Sequence, residues 1–192
     1  MKKLFFAVVL CIMMTLCFSS CKIGCINTNR YNIDNFKKLL EAGEYMQAAE
    51  MYINTADGNV RREKEAERAL SDFVRDAINS YLNGEADYKE AQFCFETAQQ
   101  TAVCSGVEFW RVRELERRLS DANNSKIAYY SGKVLMETGN YLAAISEFEK
   151  VIEADINYPE AQAALSLAIE NMGVHSFESH RHIYWNRIMI KP

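Results

Sequence analysis

Between Asn32 and Met172, apolar residues return every three or four positions, the period of helices with one buried face. Phe36, Leu39 and Leu40 mark a first run, with Asn32 or Asp34 as its cap and Gly43 as its end. Tyr45, Ala48 and Tyr52 mark a second. Asp57-Gly58 breaks it, and a long run follows from Val60 to Leu82. Its first part, RREKEAERA, alternates charge at helical spacing and predicts a solvated face. Its second part carries Leu70, Phe73, Val74, Ala77, Ile78 and Tyr81 and predicts a buried one. Asn83-Gly84 closes that helix, and Tyr88, Ala91, Phe95 and Ala98 define the next.

From Val107 to Ala122 the pattern predicts an additional helix. Phe109, Trp110, Val112, Leu115 and Leu119 form its apolar side, and Arg111, Arg113, Arg117 and Arg118 form a basic cluster opposite. Ser105-Gly106 and Asn123-Asn124 bound it as breaks. Ala128 to Ala161 then holds two amphipathic runs joined at Thr138-Gly139-Asn140, where Gly139 supplies the positive φ of a helix C-cap. Pro159 opens a final helix at a position that tolerates proline. The last segment, 173–192, is of uncertain structure, because HIYWNRIMI suits a strand or a poor helix. Two prolines in 192 residues leave little for a turn-rich β fold, so the expectation is all-α, with about eight helices.

The order Gly139, Tyr141, Ala144, Phe148 resembles the tetratricopeptide repeat, a helix-turn-helix unit that stacks into a solenoid. Gly43, Tyr45, Ala48 and Tyr52 repeat it, and Tyr88, Ala91 and Phe95 repeat it again after Gly84. Tyr45, Tyr88 and Tyr141 are 43 and 53 residues apart, longer than the roughly 34-residue period of the family, so the stack is not regular. The resemblance implies a right-handed α-solenoid over 32–172 whose groove holds peptides or partner proteins. Carried across, the groove positions are Lys126, Tyr129, Lys133 and Met136 in the clearest copy, and Arg30 and Lys37 in the first. The carboxylate-clamp form of the family has Asn where Lys37 and Lys133 stand, a departure from the pattern for gripping a terminal carboxylate.

The N-terminus changes the picture. Met1-Lys2-Lys3 followed by LFFAVVLCIMMTLCF reads as an export signal over 1–20, too short for a comfortable membrane span. Phe18-Ser19-Ser20-Cys21 resembles the bacterial lipobox, with Phe18 where Leu is commonest. That resemblance implies cleavage before an acylated Cys21, a linker over 21–31, and a domain tethered to a membrane in the bacterial cell envelope. Without Lys2 and Lys3 the net charge moves from −4 to −6, which argues against nucleic-acid binding. Cys25 belongs to the linker. Cys94 reads as a buried thiol within a helix, with a Cys94–Cys104 disulfide as the alternative.

No phosphate loop, nucleophile elbow, HExxH or CxxC is present, so neither an enzyme nor a cofactor is expected. His175, His180 and His182 would form a metal site only if the tail were a strand placing His180 and His182 on one side, and none is expected. The function these features imply is a membrane-tethered scaffold or adaptor that binds an envelope protein or peptide. The alternatives are a small-ligand-binding accessory lipoprotein of a transport system, drawn from ten tyrosines and eight methionines, and a component of outer-membrane assembly.

Overall fold

The computed structural model describes residues 32–55 and 58–189, the side chains of Thr55 and 174–189 excepted. The signal and lipobox readings, Cys21 and Arg30 included, lie outside the described residues. Those residues form seven helices and no strand: α1 (Ile33–Glu41), α2 (Tyr45–Thr55), α3 (Val60–Leu82), α4 (Tyr88–Ser105), α5 (Val112–Glu137), α6 (Tyr141–Phe148) and α7 (Tyr158–Met189). The fold is all-α.

Local chemistry sets most boundaries. Asn32, Asn59 and Asn140 cap α1, α3 and α6 by accepting from backbone N–H groups of Asp34, Arg62 and Ala143. Asp87 and Glu90 form a reciprocal capping box at the start of α4. Gly139 turns the chain between α5 and α6 with φ of 73°, a conformation that costs other residues a Cβ clash.

Helices α1 to α4 pack as two hairpins, α1 against α2 and α3 and α4 against both α2 and α3. In each of the three hairpins the signature alanine is fully buried, at Ala48, Ala91 and Ala144, and the aromatic four residues on, Tyr52, Phe95 or Phe148, packs beside it. In the third, α5 and α6 approach so closely that the Phe148 ring lies against Gly132, where a Cβ would stand 2.6 Å from the ring.

The core has two parts. Phe36, Leu40, Leu70, Val74, Ile78 and Phe95 centre the larger one, which also takes Leu115, Leu119 and Ala122 from α5. Ala128, Tyr129, Ala144, Phe148, Val151 and Ala161 form the smaller one, which takes the other half of α5 together with α6 and α7. Helix α5 therefore belongs to both.

Two expectations are corrected here. The break at Asn123-Asn124 is absent: the part of the predicted Val107–Ala122 helix from Val112 onward and the first helix of the Ala128 hairpin are one helix of 26 residues, residues 107–111 lie in the connection before it, and the described residues form seven helices where about eight were expected. Two asparagines cost a helix only about 0.7 kcal/mol each, whereas the stripe Leu115, Leu119, Ala122, Lys126, Tyr129 stays in phase through them. Trp110 does not join the apolar side with Phe109. It lies on the turn before α5 and is 77% exposed. The tail, left between strand and helix, is helical to Met189. That removes the strand geometry on which a two-histidine metal site depended.

Candidate functional site

The sequence-predicted groove residues meet different fates. Lys126 is corrected first, because it is only 8% exposed and is not open to a partner. Its ammonium donates to Asp155 Oδ1 and to the Leu82 carbonyl, both at 2.8 Å. Ser125 Oγ donates to Asp155 Oδ2 at 2.8 Å and accepts from the Ile152 N–H. Asn157 donates to the same carboxylate from its backbone and its side chain, both at 3.0 Å. The Ile156 N–H also donates to the Leu82 carbonyl. This network ties the end of α3, the middle of α5 and the α6–α7 connection at the place where the two cores meet.

Burial raises the Asp155 pKa, but the hydrogen bonds from Lys126, Asn157 and Ser125 outweigh it and hold the carboxyl below its usual range. Nearby, the Tyr81 hydroxyl donates to Asn123 Oδ1 at 3.1 Å. Its phenol is pushed up by burial and by the Asp155 charge. Lys126 and Asp155 are thus held by hydrogen bonds from three segments of the chain, which fixes the packing at this joint.

Further along α5, Tyr129 is buried with its hydroxyl toward the surface, accepting from Lys133 Nζ at 3.2 Å. Lys133 also donates to Glu160 Oε1 on α7 at 3.2 Å. Burial and the Glu160 carboxylate raise the Tyr129 pKa, and the hydrogen bonds to Tyr129 and Glu160 raise that of Lys133. Met136 is half-buried against the smaller core. Lys37 is exposed on α1, in the other part of the molecule. Of the predicted set, the fold brings together Tyr129 and Lys133, and Met136 follows one turn on.

Beside them lies a feature that the sequence reading passed over. Ile127, Tyr130 and Val134 are exposed at i, i+3 and i+7 on α5 and make an apolar stripe on the face turned away from the core. Tyr130 sets its ring edge-to-face on Tyr129, centroids 5.1 Å apart. The sequence shows two interleaved apolar stripes on this helix, and only the packing decides which of them faces solvent.

The basic cluster predicted on α5 is partly spent within the chain, with Arg117 paired to Asp121 and Arg111 within 4.0 Å of Glu67. Comparison with protein-family models, curated proteins and solved structures finds no match. The chain's own chemistry therefore carries the argument. Cys94 and Cys104 are both free thiols on α4. Ten residues of helix hold them about 15 Å apart, so the alternative of a disulfide between them is excluded. Cys94 is half-buried, and burial and then the Glu90 charge push its pKa up, which keeps it protonated and unreactive. Among the described residues no three His, Cys, Asp or Glu side chains converge, and no helix is long and apolar enough to cross a membrane.

Proposed function

We propose that this chain is a tetratricopeptide-like adaptor, tethered through Cys21 to a membrane of the bacterial cell envelope, that binds a partner protein or peptide along α5. The right-handed solenoid is part of this proposal. It is supported by the three hairpins with buried Ala48, Ala91 and Ala144, and by the pairing of α1 with α3 and α3 with α5.

The observation that carries the binding reading is the stripe of Ile127, Tyr130 and Val134 flanked by Lys133. Three large apolar side chains aligned on one exposed helix face, with a cation at the edge, suit a partner that offers an apolar surface with an acidic rim. The buried face of α5 is committed to two cores, so the stripe is presented on a fixed support.

Cross-linking in intact cells followed by pull-down of the full chain tests the reading. A specific partner should be recovered, and Tyr130→Ala or Lys133→Glu should reduce its recovery while leaving the circular dichroism of the chain unchanged. Equal recovery with both variants would remove α5 as the binding face.

A further inference from the structure

A cleft of about 880 Å³ lies on the larger part of the molecule, between the first half of α3 and the turn that joins α4 to α5. Its size falls in the range of small-ligand sites, roughly 300–1,000 Å³. Tyr52 and Ser71 contribute its buried wall, and Trp110 stands at its edge.

The placement of Trp110 is specified on both sides. Gly106 ends α4 in the left-handed region, and Val107 and Phe109 are then driven into the core. Arg111, on the far side, reaches toward Glu67 on α3. The indole between these anchors is left 77% exposed on a turn that is otherwise pinned. Exposing an indole forgoes the free energy of its burial, whereas Tyr52 and Phe109 nearby are buried.

The charge of the lining says what could cover that ring. Four carboxylates and four cations face the cleft, so it has no net charge to attract an ion. Glu67 pairs with Arg111 and Asp72 with Arg75. Glu63, Lys64, Arg68 and Glu108 also line the cleft and form no ion pair among the described residues. A protein surface laid over eight charged side chains would have to desolvate them, and protein interface cores are depleted of charge for that reason. A saccharide avoids this cost. Its hydroxyls both donate and accept, so they replace water on carboxylates and guanidinium groups, and the C–H face of its ring stacks on an indole.

We propose that this cleft is a binding site for a neutral oligosaccharide, with Trp110 as the stacking platform and the unpaired charges around it as hydroxyl ligands. This goes beyond the adaptor reading and is independent of it, since no residue of the α5 stripe lines the cleft.

The chain has two tryptophans, so Trp185→Phe leaves Trp110 as the sole indole reporter. The full chain with that change, in detergent and about 150 mM salt, would be titrated with cellohexaose, xylohexaose and chitohexaose, and with hexagalacturonate as the anionic control. A saturable change in emission with at least one neutral hexasaccharide is expected. Calorimetry on the otherwise unmodified chain should show that affinity weakened at least about tenfold by Trp110→Ala. It should also fall with Glu108→Ala, neither change altering the circular dichroism. No response to any neutral hexasaccharide overturns the proposal. A response to the anionic sugar alone that fades with salt also overturns it, as does full retention of binding in Trp110→Ala. Loss of a protein partner on Trp110→Ala without any saccharide response would assign the cleft to a protein interface and overturn it equally.

Discussion

Replacing Asp155 by alanine removes the carboxylate from the joint between the two cores. The side chain is fully buried, and its loss leaves the Lys126 ammonium, itself nearly buried, with the Leu82 carbonyl and the face of the Tyr81 ring but no counter-charge. The Ser125 hydroxyl and the Asn157 amides lose their acceptor as well. Removing one member of a buried ion pair costs about 3–5 kcal/mol, chiefly because the other charge stays behind. Against a domain stability of roughly 5–15 kcal/mol, that is a large share. Urea unfolding of the full chain, followed by helical circular dichroism, should show a midpoint lowered accordingly. Lys126→Met with Asp155→Leu should recover most of the loss, because no uncompensated charge remains. The pH dependence has a defined sign. The Asp155 pKa is depressed below the ordinary aspartate value of 3.8, so its contribution is complete above about pH 5 and is lost as pH falls through the folded-state pKa. The gap between wild type and Asp155→Ala should therefore narrow below pH 3.8. A loss under about 1 kcal/mol at neutral pH, or a gap that widens in acid, would refute the argument.

Three further outcomes are expected. Gly132→Ala should destabilise the chain by up to about 2 kcal/mol in chemical denaturation: alanine favours the helix by about 1 kcal/mol, but overpacking against the fully buried Phe148 ring costs about 1–3 kcal/mol. Combining it with Phe148→Leu should give less than the sum of the two losses, and additivity would show that the contact is not the cause. Iodoacetamide at mildly alkaline pH, read by peptide mass spectrometry, should label exposed Cys104 well before Cys94, whose thiol is half-buried with a raised pKa; equal rates would contradict this. Metabolic labelling with a radioactive fatty acid should mark the wild-type chain and leave Cys21→Ala unmarked, and equal label in both would rule out acylation at Cys21.

What the sequence determined by itself was local. Helical period, capping asparagines and turn glycines are short-range chemistry, so Val60–Leu82 and the turn at Gly139 could be read within a few residues. The signature alanines and aromatics were legible as packing residues because small and large side chains at helical spacing have little other use. Three matters needed the tertiary structure. Asn123-Asn124 reads as a break by composition, yet helix α5 continues because burying its stripe in two cores outweighs the weak propensity of two asparagines. Trp110 sits in an apolar run and is nevertheless exposed, because Phe109 beside it takes the place in the core and Arg111 is held toward Glu67. Lys126 and Lys133 look alike as cations seven residues apart on one helix. Only the arrival of Asp155 from the α6–α7 connection buries the first, and only Glu160 at the start of α7 draws the second across the surface. Sequence period tells which side of a helix is buried, but what a charge meets there is decided by segments about thirty residues away, which local pattern does not encode.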